Sequence, residues 1–408
     1  MRGTSASKVI TTIAMSAFLV PAIASTTPAS AADAIGGPLL AGTGIIQSPM
    51  AGAQPLPKVN ADTWLIADAT TGEVLAAKNP HAHVRPASTL KTLTSVTLMP
   101  VLDRNAVHTA TDKDVRVEGS HVGIVSGATY TVWDLWHGLL LPSGNDAATA
   151  LANQNGGVTK TVTAMQSVAE QLHALDTHVV NPSGLDADGQ VSSAYDMALI
   201  AAAAMKIPDF RTVTNTKSYA FPGLMPKSGK TRKTFQIYTE NRLLRHDYPG
   251  ITGGKTGFTS LAHRTFWAAA DRNGHTLIVT LFQIHQPTET AAKALLDWGF
   301  ANRTKVNPVG TLVSPTVTVG QPQGTSSAGT SPTSGSDTAM ATTGEADQSE
   351  QSPVASYVVL VGLGTVFAGA IAVWMRRRTI RRRKAARAHG RHLAGDATTT
   401  RQPATTTV

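Results

Sequence analysis

Thr265-Phe266-Trp267-Ala268-Ala269-Ala270, then Asn273-Gly274, then Thr276-Leu277-Ile278-Val279-Thr280-Leu281-Phe282: two β-prone apolar runs hinge on an Asn-Gly pair. Asn and Gly tolerate positive φ at both central positions of a tight turn, so this stretch reads as a β-hairpin. The same signature opens the body of the chain, where Thr63-Trp64-Leu65-Ile66-Ala67 and Val74-Leu75-Ala76-Ala77-Lys78 flank Thr71-Gly72. Between the two hairpins the apolar period changes from two to that of a helix, over Thr131 to Leu141, Asp146 to Asn153, Lys160 to Leu175 and Tyr195 to Met205. Glu289 to Trp298 supplies a last helix. Strands at both extremes with helices between them predict an α/β body: one antiparallel sheet flanked by helices, with a helical subdomain and a cleft where the two meet.

Three short motifs fall in the regions that would line such a cleft: Ser88-Thr89-Leu90-Lys91, Ser143-Gly144-Asn145 and Lys255-Thr256-Gly257. Pro86 opens a helix at the first, and the i, i+3 spacing puts Ser88 and Lys91 on one face. A helix start lays positive potential under Ser88, which favours its alkoxide and disfavours an extra proton on Lys91. The second motif follows Leu141-Pro142 at a break between two helices. The third begins the first of the C-terminal strands, with Gly257 admitting close approach of a substrate backbone. Asp146 reads as a first-turn acid rather than a catalytic base, and Asn241-Arg242-Leu243-Leu244 reads equally as cleft lining or as a structural loop.

The rest of the chain is organised around residues 60–303. A basic start at Arg2 and Lys8, an apolar run from Val9 to Ala24 and the small-residue site Ala29-Ser30-Ala31 read as a secretory signal over 1–31, followed by an extended pre-domain segment, 32–59. Residues 304–353 become rich in Ser, Thr, Gly and Pro, with no aromatic residue between Phe300 and Tyr357; this is a linker. Residues 354–375 hold the uncharged stretch Ala355 to Met375, long enough to span a bilayer core of about 30 Å as a helix. The basic tail 376–408 follows directly, which by the positive-inside rule puts that end in the cytoplasm and the body outside it.

Composition narrows the function classes. The net charge of +9 equals the balance of that tail alone, ten Arg and Lys against Asp396, so the remainder is neutral and no nucleic-acid surface is expected. With no cysteine there is no disulfide, thiolate metal site or Cys nucleophile. The histidines, among them His81, His83, His121, His137 and His285, lack ligand spacing, so neither metal nor cofactor is expected.

The three motifs together resemble the set shared by penicillin-binding proteins and class A β-lactamases. Their surroundings are similar to the D-alanyl-D-alanine carboxypeptidase family of low-mass penicillin-binding proteins. The likeness runs through Arg85 to Lys91, Tyr130 to Ala148, Asn181-Pro182-Ser183-Gly184-Leu185-Asp186 and Leu295 to Phe300. It implies a penicillin-binding, β-lactamase-like transpeptidase fold. It also implies a hydrolase that removes the terminal D-alanine of peptidoglycan stem peptides ending in D-Ala-D-Ala and is inhibited by β-lactams; the C-terminal helix read from the apolar stretch would hold it to the cell membrane, where some relatives have a second, β-rich domain and an amphipathic C-terminal anchor instead. By the same resemblance Ser88 is the acylated nucleophile, Lys91 the neutral general base and Ser143 the proton relay to the leaving D-alanine. Asn145 would hold the substrate amide, Lys255 and Thr256 its carboxylate, and the N–H groups of Ser88 and Phe258 the oxyanion. Two positions depart from the family. Phe258 stands where a His is common, and Gln283-Ile284-His285-Gln286 stands where an Arg commonly meets the substrate carboxylate. A β-lactamase, an endopeptidase on the same scaffold and a catalytically silent wall-binding protein remain open alternatives. The glutamates a class A deacylation would need, Glu170 and Glu240, lie in no promising loop.

Overall fold

The structure, a computed structural model, describes residues 34–226 and 230–316. All lie in the first of the two units into which the chain divides, 1–326 and 327–408. The expected signal segment, the spanning segment 354–375 and the basic tail lie outside the described residues. Among the described residues no helix is long and apolar enough to cross a membrane.

The strands in chain order are β1 (Ile45–Gln47), β2 (Ala61–Asp68), β3 (Glu73–Lys78), β4 (Val107–Thr109), β5 (Thr129–Thr131), β6 (Ser218–Pro222), β7 (Thr234–Tyr238), β8 (Ile251–Thr259), β9 (His263–Arg272), β10 (His275–Ile284) and β11 (Gly310–Thr311). The helices are α1 (Lys91–Leu98), α2 (Asp112–Val115), α3 (Val132–Leu140), α4 (Asn145–Gln154), α5 (Val158–Gln171), α6 (Ala194–Ala204), α7 (Pro208–Thr214), α8 (Arg242–Arg245) and α9 (Thr288–Asn302).

The main sheet runs β1-β3-β2-β10-β9-β8, with β11 also on β3, and every pairing is antiparallel. Both expected hairpins form. Asn273 and Gly274 take φ of 51° and 77°, as a two-residue turn between right-twisted strands requires. The strands do not alternate polar with apolar because both faces of the sheet are covered. Trp267, Ala269, Ile278 and Phe282 enter the core shared with the helices, whereas Phe266, Ala268, Leu277 and Val279 enter a second core under α9. Period two decides which core each side chain joins. Trp267 Nε1 then donates to Thr92 Oγ1 of α1 at 2.7 Å, and Thr280 Oγ1 to Ala194 O of α6 at 2.8 Å, fixing the helical layer on the sheet.

Helix starts follow local chemistry. Thr131 caps α3 in a capping box with Asp134, and Ser193 caps α6 by accepting from the Asp196 amide. The short hairpins β4-β5 and β6-β7 and the helix α7 carry too few periodic residues to be legible in the sequence.

Two expected boundaries move outward. The segment 32–59 is not merely extended: β1 pairs with β3, and Leu40 is fully buried. Nor does a free linker begin at 304, since Val306 and Val309 are buried and β11 closes on β3. The two ends meet, with the Thr311 amide donating to Gly36 O at 2.8 Å and Tyr195 Oη to Thr311 O at 2.8 Å. At both ends the contacting atoms belong to the main chain of Gly36 and Thr311, so composition alone does not reveal them.

Beneath this junction His81 Nδ1 lies 2.7 Å from Asp176 Oδ2 and Nε2 lies 3.1 Å from Ile35 O. Both partners accept, an arrangement that favours a proton on each ring nitrogen. Burial lowers the pKa of His81, but the hydrogen bond and charge of Asp176 outweigh it and the net shift is upward. Asp196 completes a cluster whose ligand-type atoms lie within 4.8 Å of one another, yet the ring nitrogens are already committed. Burial, helped by the charge of Asp176, pushes the Asp196 carboxyl up to about 7. A carboxyl raised in the folded state stabilises fully below its unfolded pKa, and that stability is lost as pH climbs to the folded value. Asp196→Asn is therefore expected to match the wild type near pH 4 and to melt at progressively higher temperature than it as pH rises to about 7. A melting-temperature difference that stays constant over that range would contradict the assignment.

Candidate active site

The nucleophile's turn is built under constraint. Pro86 is helical at φ −76°, but Ala87 is left-handed at φ 48°, and a 3-10 turn over Ala87–Leu90 leads into α1. In a 3-10 turn, residues three apart eclipse, which is why Lys91 Nζ reaches Ser88 Oγ at 2.8 Å. Pro86 O accepts from Thr89 Oγ1 at 2.6 Å and from Thr265 Oγ1 of β9 at 2.9 Å, pinning the turn to the sheet. From the other side Gly184 presses on it: with φ 81°, a Cβ there would sit 1.8 Å from Ala87 O. Gly257 has a different part from the one expected. Its bare Cα packs on the turn, since a Cβ would lie 2.8 Å from Ser88 N, so glycine here brings β8 against the nucleophile's amide.

Lys91 is fully buried. Besides Ser88 Oγ, its Nζ meets Asn145 Oδ1 at 2.7 Å and Ser183 O at 2.8 Å. The Asn145 amide is oriented because its Nδ2 donates to Glu118 O at 2.6 Å. Two of the three partners can only accept, while the hydroxyl can do either. A neutral amine satisfies all three: two N–H groups go to the carbonyls and the lone pair takes the Ser88 proton. Burial holds the Lys91 pKa well below the usual lysine value, and the nearby Lys255 ammonium lowers it further. The resting site thus holds a base already hydrogen-bonded to its nucleophile.

Ser143 projects from the turn between α3 and α4 in a left-handed conformation, φ 67°. Asp146 anchors that turn, its carboxylate accepting from the amides of Val122, Gly123 and Ile124, which confirms a structural acid. Lys255 Nζ donates to Ser143 Oγ at 2.9 Å and to Thr256 O at 2.7 Å. Burial pushes the Lys255 pKa down to about 8, so it stays mostly charged at neutral pH, and it holds that of Lys91 well below the usual lysine value. The motif lies within β8 rather than at its start, because the strand begins at Ile251. Two hydroxyl–amine pairs, Ser88–Lys91 and Ser143–Lys255, result, with Asn145 and Gly257 joining their supports.

Asn145 also holds Lys91 in place through Oδ1, and one of its two Nδ2 N–H groups is spent on Glu118 O. The side chain of Phe258 is 66% exposed, leaving its backbone as the contribution to the site. His285 does not replace the missing Arg. The segment leaves β10 through a bulge, and His285 Nε2 faces Asp62 Oδ1 at 3.2 Å. Sequence reading missed Ser183, whose carbonyl carries no side-chain signal, and Glu240, whose Oε2 accepts from Thr256 Oγ1 at 2.9 Å. Because Gly184 sets the turn, Gly184→Ala is expected to lower the second-order rate of Ser88 acylation roughly tenfold or more. An unchanged rate in a normally folded variant would remove that role.

The family described as D-alanyl-D-alanine carboxypeptidase matches residues 49–285, more than half of the chain. By sequence the chain is similar to the D-alanyl-D-alanine carboxypeptidase DacB2 of Mycobacterium tuberculosis, 40% identical over 258 residues, which are 62% of this chain and 86% of that protein. It is also similar to DacD of Escherichia coli, 33% identical over 265 residues, covering 61% of this chain and 66% of the relative, just under two thirds of its length. A solved D-alanyl-D-alanine carboxypeptidase from M. tuberculosis H37Rv superposes with a TM-score of 0.60 at 38% identity, over 64% of this chain and 99% of that one. The Streptomyces K15 DD-transpeptidase does so with a TM-score of 0.58 at 29% identity, over 61% and 100%. With the three motifs converging on one site, the chain belongs to the D-alanyl-D-alanine carboxypeptidase family of serine peptidases.

Proposed function

We propose that this protein removes the terminal D-alanine from peptidoglycan stem peptides ending in D-Ala-D-Ala, through an acyl-enzyme on Ser88, and that β-lactams acylate the same hydroxyl. The observation that carries the reading is the pair of buried hydroxyl–amine couples, Ser88–Lys91 at 2.8 Å and Ser143–Lys255 at 2.9 Å. Lys91 takes the Ser88 proton as Oγ attacks the penultimate carbonyl. Negative charge on that oxygen meets the amides of Ser88, at the start of its turn, and Phe258, beside Gly257. Ser143, held by Lys255, passes a proton to the departing D-alanine nitrogen and takes one in turn from the Lys91 ammonium, which is then neutral again, while Lys255 and Thr256 receive the terminal carboxylate. Water then cleaves the ester, with Lys91 again the base.

The proposed setting is outside the cytoplasmic membrane. An amino-terminal export signal, the apolar stretch Ala355 to Met375 and the arginine cluster after it support a body tethered by the carboxy-terminal segment. A flexible linker of about 40 residues has a root-mean-square span of roughly 35 Å, enough for the catalytic body to reach wall polymer.

Incubation with a stem pentapeptide is expected to release free D-alanine, and labelled penicillin to attach to the wild type but not to Ser88→Ala. Labelling that persists in the variant would move the nucleophile elsewhere. Release of the penicilloyl group within seconds, instead of minutes to hours, would favour a β-lactamase.

The pH dependence follows from the two lysines. Lys91 must be neutral, so acylation rises with pH through its lowered pKa; Lys255 must be charged, so acylation falls above about 8. Lys255→Arg, which keeps its charge throughout, is expected to acylate more slowly but without that alkaline descent. A descent that persists in the Arg variant would assign the alkaline limb to another group.

A further inference from the structure

Glu240 is a side chain that the proposed reaction does not use and that nevertheless touches its machinery. Its carboxylate Oε2 accepts from Thr256 Oγ1 at 2.9 Å. The main chain there is fixed on both sides. The Glu240 amide donates to Leu141 O, two residues before Ser143, and the next residue, Asn241, caps α8 by accepting from the amides of Leu243 and Leu244. The carboxylate is thus held at the cleft rim, exposed to solvent and paired with no cation among the described residues.

A hydroxyl has a single proton to donate, and the Thr256 proton is spent on Glu240. The Lys255 ammonium has given two of its three N–H groups to Ser143 Oγ and Thr256 O. No arginine compensates from the 283–286 segment, where His285 is turned to Asp62. A terminal carboxylate entering beside Thr256 and Lys255 therefore meets an occupied hydroxyl and a fixed negative charge.

Resting on the proposed peptidase reading, we propose that Glu240 is a specificity residue: it competes with the substrate's terminal carboxylate for the Thr256 hydroxyl and reduces the enzyme's preference for a free-acid over a carboxamide terminus. The charge of Glu240 also raises the pKa of both Lys91 and Lys255, as expected of an anion facing the same pocket.

The test compares wild type, Glu240→Gln and Glu240→Ala on a diacetyl-lysyl-D-Ala-D-Ala peptide as the free acid and as its C-terminal carboxamide, with penicillin acylation measured alongside. Both variants are expected to raise the acid-to-carboxamide ratio of kcat/KM by roughly three- to tenfold, and to shift both limbs of the acylation pH profile toward acid. A ratio that stays the same, or one that falls because Thr256 needs Glu240 for orientation, overturns the inference. A wild type inert toward both peptides and toward penicillin would instead sink the peptidase reading, and the inference with it.

Discussion

Two lysines buried in one pocket set the terms for the rest of the site. An ammonium taken out of water costs several kcal/mol even after relaxation, and two side by side also repel each other. The protein resolves this by keeping Lys91 neutral and Lys255 charged. Burial and charge divide the states: desolvation and the nearby Lys255 ammonium hold the Lys91 pKa well below the usual lysine value, whereas burial brings that of Lys255 down only to about 8. The chemistry follows from that division, because a base and a charge-holding group are needed at the same place and the same pH.

Holding the arrangement requires unfavourable backbone. Ala87 and Ser143 both occupy left-handed φ without being glycine, at a cost of order 1–3 kcal/mol each. Each is pinned by neighbours that would lose more if it relaxed. Thr89 and Thr265 both bond Pro86 O, Gly184 leaves no space beyond Ala87 O, and the Asp146 carboxylate collects three loop amides beside the Ser143 turn. At the site this strain sits at Ala87, beside the nucleophile, and at Ser143.

The sheet serves the site by joining the chain's ends. Strand β10 pairs β2 across more than two hundred residues, and β8, at the edge, carries Lys255 to the turn that holds Ser88. The clasp of β11 on β3 and of Thr311 on Gly36 closes the assembly at its far margin. Glu240, in the segment between β7 and α8, shows how such an assembly brings in residues that motif spacing does not announce.

Much was legible in the residues themselves. Asn273-Gly274 specified its hairpin because few pairs tolerate two positive φ values, and the apolar period from Thr131 located α3. Ser88 and Lys91 lie three apart, so their contact is a property of local helix geometry, as the structure bears out. What sequence could not reach were contacts made by main-chain atoms or by side chains whose partners lie far along the chain. Ser183 acts through a carbonyl every residue possesses, Gly257 through the absence of a Cβ against an amide it meets only in the folded state, and Glu240 through a hydroxyl brought to it by β8. Local chemistry determined which groups could react; tertiary packing alone decided which lysine is neutral, because burial and the neighbouring charge exist only once the chain has closed.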